Sequence, residues 1–342
     1  MTRQPVSGIQ LTARWGMRLS GHVVEAAWSG SGDAVAALSI EGELVVHERG
    51  SGAVRYFRAA HTAGGASVSW HPSQSLIATG GQDGRVVVWD ASTGEVRHAL
   101  EAGATWVERV DWSPSGTMLA AAAGRSVRIW SLDGRLLREY PTHRATVTDM
   151  RWQPGRDRLC TTSYGGVTLL DPVLPTPEQQ FSWQGSSLVA RWSPDGKYIA
   201  TGDQDSTVHF WKTKSGQDLM MSGYQCKVRE LAWDYGSRYL ATGGSDEVAV
   251  WDCSGSGPSG TKPILLPGHE TRVTAVDFQR NGPRLASGGE EGRVVLWHPG
   301  HKRALVGATV LNAGVSVLAW SPDDRDVLAG CANGDLRLLR NP

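Results

Sequence analysis

The chain has 342 residues, 40% of them hydrophobic, which is enough for a buried core and too much for a disordered chain. Lysine and arginine together number 34, as do aspartate and glutamate, so the formal net charge is zero. A neutral chain has no overall field that attracts nucleic acid or an anionic membrane. We therefore expect no membrane partner, and nucleic acid is disfavoured as a partner.

The amino-terminal residues and the cysteines indicate a cytoplasmic protein. Residues 1–10 contain no apolar signal region, and no window approaches the ~18 apolar residues of a transmembrane helix. The four cysteines form no Cys-x-x-Cys pair, so they indicate neither a zinc site nor a disulfide framework. We expect a cytoplasmic location, no metal and no cofactor.

The first predicted element is a strand over residues 9–19. Its apolar residues alternate strictly with polar or small ones, which is the period of a half-buried strand. The apolar positions are Ile9, Leu11, Ala13, Trp15, Met17 and Leu19.

A tryptophan that precedes a turn then recurs every 40–45 residues, once as phenylalanine. These marker positions are Trp28, Trp70, Trp112, Trp152, Trp192, Trp233, Phe278 and Trp320. Around each marker, short alternating segments are separated by Gly, Asp and Pro, which suit tight turns. Such periodic self-similarity is typical of a repeat architecture. The sequence therefore predicts a single all-β repeat domain over residues 1–342.

The repeats resemble those of the WD40 family over nearly the whole chain. The resemblance rests on the segments Val86–Asp90 and Val248–Asp252, on Gly268-His269, and on the Trp-Ser-Pro runs that begin at Trp112, Trp192 and Trp320. It implies a β-propeller of four-stranded blades.

We expect eight blades because eight repeat units can be counted. The predicted blades are residues 20–58, 59–101, 102–141, 142–183, 184–223, 224–267, 268–309 and 310–340. The last unit has no residues left for an outer strand, so the strand over 9–19 is expected to complete blade eight and remove an exposed edge. The alternative is seven blades, with the poorly matching first unit outside the ring.

The resemblance also implies hydrogen-bonded tetrads that hold individual blades together. They are His61, Thr79, Asp83 and Trp89 in blade two, and His269, Ser287, Glu291 and Trp297 in blade seven. A histidine, a hydroxyl and a carboxylate are also the components of nucleophilic hydrolysis. A motif fixed by repeat register belongs to the scaffold, however, so no catalytic residue is predicted.

The predicted partner-binding surface is the face of the ring around the channel mouth. Its candidate residues are Trp106, Glu108, Tyr164, Gln204, Lys227, Arg229, Arg272 and Glu290. Trp106 belongs to neither tryptophan column, so it is either a binding hot spot or a staple on its neighbours. The three cations suit a carboxylate or phosphate of a partner, or else form a solvated rim paired with nearby glutamates.

These observations predict a non-enzymatic scaffold that binds a protein or peptide within a larger complex, and the cations favour a partner with acidic groups. One alternative is a hydrolase or lyase that uses the channel, although the predicted channel positions supply only His22 and Glu108. The other is a nucleic-acid-associated adaptor with a local basic patch. The sequence predicts no oligomeric state.

Overall fold

The structure is a computed structural model that describes residues 9–141, 143–255, 257–258 and 260–342, and their regular elements are β-strands. The first sixteen are β1 (Ile9–Gln10), β2 (Ala13–Arg18), β3 (Val23–Trp28), β4 (Ala34–Ser39), β5 (Glu43–Glu48), β6 (Val54–Ala59), β7 (Gly65–Trp70), β8 (Leu76–Gly81), β9 (Arg85–Asp90), β10 (Val96–Glu101), β11 (Val107–Trp112), β12 (Met118–Ala123), β13 (Ser126–Ser131), β14 (Leu136–Tyr140), β15 (Asp149–Trp152) and β16 (Leu159–Leu170). The others are β17 (Gln179–Trp192), β18 (Tyr198–Asp203), β19 (Val208–Lys212), β20 (Asp218–Met221), β21 (Leu231–Trp233), β22 (Tyr239–Thr242), β23 (Glu247–Asp252), β24 (Ile264–Pro267), β25 (Val273–Phe278), β26 (Leu285–Gly289), β27 (Arg293–Trp297), β28 (Leu305–Val310), β29 (Val315–Trp320), β30 (Asp326–Cys331) and β31 (Asp335–Arg340). None of the described residues forms a helix that is long and apolar enough to cross a membrane.

The strands form seven hydrogen-bonded sheets. Four sheets consist of four consecutive strands each: β3–β6, β7–β10, β11–β14 and β21–β24. One sheet contains the six strands β15–β20. The remaining two combine both ends of the chain, in the orders β2-β31-β30-β29 and β1-β28-β27-β26-β25.

The prediction of eight blades is wrong, because the strands form seven sheets. The difference arises in residues 142–183 and 184–223, which were predicted as two blades and share the six-stranded sheet. β16 runs through the second and third strand positions of the fourth unit, and β17 continues from that unit into the fifth. Pairing of Tyr164 with Ser186 keeps the two units in one sheet at the turn that Gly165 and Gly166 form with positive φ. The alternative prediction of seven gave the right number of sheets. It was wrong in placing the first unit outside the ring, because β3 of that unit contacts both β7 and β29.

The innermost strands follow one another around a central channel. Neighbouring contacts run β3–β7, β7–β11, β11–β15, β15–β17, β17–β21, β21–β25, β25–β29 and β29–β3. Each marker aromatic ends one of these strands. Its role is visible at Trp152, whose indole N–H donates to the Asp111 carbonyl of the neighbouring strand at 3.0 Å. Trp28, Trp192, Trp233 and Trp320 make the same bond to their own neighbours, so the recurring tryptophan ties adjacent units together.

The amino-terminal strand is divided between two sheets. Predicted as one strand over 9–19, it pairs as β1 in parallel with β28 and then as β2 antiparallel to β31. Leu11, at the crossing, donates its backbone N–H to Ala308 at 3.1 Å and is buried among residues of both sheets. Burial of this one side chain between two sheets explains the break in the predicted strand.

The first and last sheets are also joined by a buried ion-pair network. Asp326 is fully buried and accepts bonds from Arg49 at 2.6 Å and from Arg14 at 3.0 Å. Arg49 also holds Asp323 at 2.8 Å. The Trp15 indole donates to the Arg49 carbonyl at 2.9 Å, so the amino-terminal strand contacts the same network.

Both predicted tetrads are built from short side-chain hydrogen bonds. In the second unit, His61 bonds to Thr79 and to Asp83, each at 2.9 Å, and Trp89 donates to Thr79 at 2.9 Å. In the seventh unit, His269, Ser287, Glu291 and Trp297 repeat the pattern, with each of the three bonds at 2.7 Å. Buried polar groups are thereby satisfied and link the second and third strands of each unit to the adjoining loop and turn.

The fifth unit departs from this pattern, and its polar groups are incompletely paired. Within the described part of the chain, Asp203 Oδ1, His209 Nε2 and Trp211 Nε1 are buried without a hydrogen-bond partner. Burial raises the pKa of the Asp203 carboxyl to about 7, against the opposing effects of Ser187 and the His209 charge. An ionised Asp203 therefore destabilises the folded state.

We expect Asp203→Asn to raise the free energy of unfolding at about pH 8 by roughly 2–4 kcal/mol. Because the carboxyl pKa is higher in the folded state than in the unfolded state, its contribution is fully present below about pH 4 and is lost as the pH rises to about 7. Urea denaturation at about pH 5 and pH 8 measures the effect. Asp205→Asn, an exposed neighbour in the same turn, is the control; equal stability of Asp203→Asn and wild type at the higher pH would contradict the expectation.

Candidate functional site

The channel-mouth face consists of the loops that lead into the innermost strands and the turns between the second and third strands of each unit. Backbone hydrogen bonds place the two sets of loops together. Gln204 N–H donates to the Ser186 carbonyl at 3.0 Å, and Glu290 N–H donates to the Arg272 carbonyl at 3.0 Å. Residues in the loop before an innermost strand and residues in the adjoining turn thus share one surface.

The predicted partner-binding residues are spread around this face. The side chains of Trp106 and Tyr164 are 49% and 57% exposed, which is high for aromatic residues. Gln204, Arg229 and Glu290 are also exposed. Lys227, Glu108 and Arg272 are half-buried.

Only one pair among these residues is brought into direct contact. Arg272 Nε lies 3.2 Å from Glu290 Oε1. This ion pair is the one expected if Arg272 belongs to a solvated rim in which cations pair with nearby glutamates. In the described ranges, no ion pair or hydrogen bond joins the side chain of Trp106, Tyr164, Gln204 or Lys227 to another predicted site residue. Burial raises the pKa of Glu108, and the charges of Arg109 and Arg229 oppose that rise.

Deeper in the channel, three arginines surround one buried carboxylate that the sequence analysis did not select. Asp149, at the start of β15, is 1% exposed. Its Oδ1 accepts from Arg109 Nε at 3.0 Å, and its Oδ2 accepts from Arg191 Nη1 at 3.0 Å. Arg151 Nε lies 3.4 Å from Oδ1. The backbone N–H groups of Met150 and Ala190 complete the coordination of the carboxylate.

The charges in this cluster strongly perturb one another. Burial alone would raise the pKa of Asp149, but the fields of Arg151, Arg109 and Arg191 hold it well below its usual range. Burial and the neighbouring guanidinium groups lower the pKa of Arg191 to about 10, against the opposing field of Asp149. The carboxylate is therefore ionised at neutral pH and is the counter-ion of a crowded positive site.

A second carboxylate closes the cluster on the neighbouring side of the ring. Glu25 on β3 accepts from the Ser67 hydroxyl and from Val68 N–H, each at 2.8 Å, and it pairs with Arg109. Arg109 thus links Glu25 to Asp149 across three innermost strands. Such a network leaves few degrees of freedom to the side chains that line the channel.

The channel contains two cavities that meet at the arginines. One, of about 410 Å³, is lined by Val24, Glu25, Ala26, Ala66, Arg109, Arg151, Arg191, Arg229, Glu230, Leu231, Thr274, Ala275, Val276, Ser316, Val317 and Leu318. The other, of about 570 Å³, lies toward the opposite mouth and shares Glu25, Ala26 and Arg151 with the first. In the described residues, no group of three or more His, Cys, Asp or Glu side chains could hold a metal ion.

Arg109 and Arg191 were not predicted because the innermost strands that carry them do not alternate regularly. The predicted residues Trp106 and Glu108 lie six and four positions before their marker Trp112, whereas Arg109 lies three before it. Arg151 and Arg191 each lie one before their markers. Six innermost strands contain a register shift, as between Val107 and Arg109, and such a bulge redirects the following side chains. The available signal was a charged residue directly before the marker aromatic, as at Asp111, Arg151, Arg191 and Asp277.

Comparison with known proteins places this architecture in a family. The family model described as anaphase-promoting complex subunit 4 WD40 domain matches residues 26–113. The model described as WD domain, G-beta repeat, matches residues 134–169, 181–212, 217–252 and 260–298. Together the two models match more than half of the chain.

Similar proteins share the repeats but are much longer. Cell division cycle 20.1, cofactor of APC complex, from Arabidopsis thaliana is 28% identical over 167 residues, which cover 46% of this chain and 35% of that protein. WD repeat-containing protein 1 from Xenopus tropicalis is 26% identical over 196 residues, which cover 43% of this chain and 32% of that protein. The matched region thus spans about a third of the length of these relatives.

The crystal structure of the computationally designed Ika8 protein has the same fold. It superimposes with a TM-score of 0.83 over 98% of this chain and 100% of that chain, at 20% sequence identity. At that identity the likeness concerns the fold alone. The strands, the tetrads and the two family matches agree with the resemblance seen in the repeats: the chain belongs to the WD40 β-propeller family.

Proposed function

We propose that the chain is a non-enzymatic scaffold that binds a protein or peptide segment on its channel-mouth face, as part of a larger complex. A relative described as a cofactor of the APC complex supports a protein-interaction role of this kind. The proposal extends to a cytoplasmic location, in keeping with the composition of the chain. The sheets hold the binding loops rigidly, so little conformational entropy is lost when a partner docks.

The observation that carries the proposal is the exposure of Trp106 on this face. About half of its side-chain surface is accessible, and among the described residues its indole N–H has no hydrogen-bond acceptor. Tryptophan is enriched in binding hot spots because it combines a large apolar surface with a polar N–H group. Trp106 also differs from marker tryptophans such as Trp152, which is buried and bonded to a neighbouring strand.

We expect Trp106→Ala to weaken capture of the partner by about tenfold or more, with little change in thermal stability. Affinity capture from the native cell, followed by mass spectrometry, identifies proteins that the wild type retains and the variant loses. Tyr235→Ala is the matched control, because Tyr235 is a comparably exposed aromatic residue, at 53%, in a turn at the opposite face. Loss of the same proteins from both variants, or from neither, would contradict the proposal.

Charge reversal tests the cationic part of the same surface. Arg229→Glu and Arg272→Glu should weaken capture of an acidic partner without lowering the unfolding temperature. Arg229 has no ion-pair partner in the described ranges, so its reversal should have the larger effect, whereas Arg272 is already paired with Glu290. Unaltered binding by both variants would remove these cations from the site.

A further inference from the structure

Four arginines on one side of the channel, the channel arginine cluster, have more hydrogen-bond donors than the protein satisfies. They are Arg109, Arg151, Arg191 and Arg229. A guanidinium carries five N–H donors. Arg109 donates to Asp149 and Glu25, and Arg191 donates to Asp149 and the Ala190 carbonyl. In the part of the chain that the structure describes, the side chains of Arg151 and Arg229 donate no hydrogen bond, although Arg151 Nε lies 3.4 Å from its counter-ion Asp149.

The acidic side chains in and behind the wall of the same cavity accept hydrogen bonds from other groups of the protein. Glu25 accepts from Ser67, Val68 and Arg109. Glu230 accepts from the Arg229 N–H at 3.2 Å, and Asp149 behind the wall is saturated by two arginines and two backbone N–H groups. Asp111 and Glu108 also lie within the fields of these arginines, so the cluster has no excess of positive charge. What remains unmatched in the described residues is the set of side-chain donors of Arg151 and Arg229. A ligand that supplies several negatively charged oxygens would match them.

The opposite wall of the cavity provides the space for such a ligand. The arginines come from β11, β15, β17 and the loop that leads into β21, which follow one another around the ring. The facing strands β25, β29, β3 and β7 contribute the small side chains Ala26, Ala66, Thr274, Ala275 and Ser316. The cavity of about 410 Å³ is large enough for a small molecule and is reached from the mouth of the channel.

We propose that the channel of this propeller binds a small, multiply charged phosphate compound of the diphosphate class, held by the channel arginine cluster. Planar guanidinium groups bind phosphate oxygens in pairs, and four of them along one wall suit two linked phosphates better than one. The narrow lumen favours a small anion over a folded partner. The site shares Arg229 with the partner surface proposed above, but Arg109, Arg151 and Arg191 lie outside that surface, so Arg151 can be tested separately.

Pyrophosphate is the probe that tests this site. Added at millimolar concentration to the full chain, it should raise the unfolding temperature, since a ligand that binds only the folded state stabilises it. Isothermal titration calorimetry should give weaker binding of orthophosphate and of citrate than of pyrophosphate. Arg151→Gln should weaken pyrophosphate binding by about tenfold or more, because it removes a charged donor that is not hydrogen-bonded to Asp149.

Two further variants separate binding from folding. Ala66→Leu places a larger side chain on the opposite wall without changing any charge, and it should also weaken binding by about tenfold or more. Arg85→Gln removes an exposed arginine outside the cavity and should bind pyrophosphate as the wild type does. Partner capture should be retained by Arg151→Gln.

Three results would overturn the proposal. The first is an unfolding temperature that pyrophosphate leaves unchanged in the wild type. The second is equal binding by the wild type, Arg151→Gln and Ala66→Leu, which would place the anion elsewhere on the protein. The third is binding of an acidic peptide that depends on Arg151 while pyrophosphate does not bind, which would make the cluster part of the partner surface.

Discussion

Asp149→Ala should lower the free energy of unfolding by about 3–5 kcal/mol. The carboxylate is buried, and its removal leaves Arg109, Arg151 and Arg191 close together without their common counter-ion. Breaking a buried ionic cluster costs more than the net energy of its contacts, because the remaining charges stay desolvated. Urea denaturation measures the loss. Asp133→Ala, which removes an exposed carboxylate that accepts only from its own turn, should leave the free energy of unfolding essentially unchanged.

The pH dependence of the stability of Asp149→Asn distinguishes the effect of the Asp149 charge from the effect of its side-chain shape. Because the folded-state pKa of Asp149 lies below the unfolded-state value, the ionised carboxylate contributes stability above about pH 4 and loses it as the pH falls further. The difference in stability between wild type and Asp149→Asn should therefore be constant from about pH 5 to pH 8 and shrink below about pH 4. A difference that stays constant into acid would mean that the charge of Asp149 does not stabilise the fold.

The repeat register was readable from the sequence because a large aromatic residue ends every innermost strand. Five of the marker tryptophans donate to the carbonyl of the neighbouring strand, as Trp192 does to Arg151 at 3.1 Å, whereas the Trp112 indole N–H is buried without a partner in the described residues. The same register placed His61 and Thr79 within hydrogen-bond distance of each other. Local signals that repeat with a fixed period therefore predicted the family and the innermost strands, and the family matches confirm the former.

The number of sheets was not readable in the same way. Whether two units remain separate depends on hydrogen bonds across their junction, such as the pairing of Tyr164 with Ser186, and these bonds leave no periodic mark in the sequence. The division of the amino-terminal strand has a similar cause. The alternation of residues 9–19 predicts a strand but not which sheet each half joins.

The site was only partly predictable, and for a different physical reason. Strict alternation assigns every second residue to the channel, but a bulge near the start of a strand shifts the residues that follow it. Arg109 and Glu25 both follow such a shift, so the alternation that selected Glu108 passed over them. Exposed residues outside the innermost strands, such as Trp106 in the loop before β11 and Tyr164 within β16, escape this difficulty.

The amino-terminal strand closes the ring, so its removal should strongly lower the folding stability. A chain that begins at Ser20 should lose more than about 5 kcal/mol of folding stability, a large part of what a single domain possesses. The deletion removes the buried side chains of Leu11 and Leu19, each worth about 2–5 kcal/mol in a core. It also removes the strand that pairs with β31 and leaves that edge open to solvent. Urea denaturation and light scattering measure the loss of stability and any aggregation.

A circular permutant provides the matched control, because it restores the strand without its original connection. The Arg340 N–H donates to the Thr12 carbonyl at 3.0 Å, so a short glycine-containing turn can join the carboxyl-terminal end of the chain to residues 11–19. With Ser20 as its first residue, this permutant should recover most of the lost stability, since β2 can again pair with β31. If the truncated chain unfolds at the same urea concentration as the intact one, the strand does not close the ring. If the permutant is no more stable than the truncated chain, the order of connection, rather than the pairing of β2 with β31, holds the first and last sheets together.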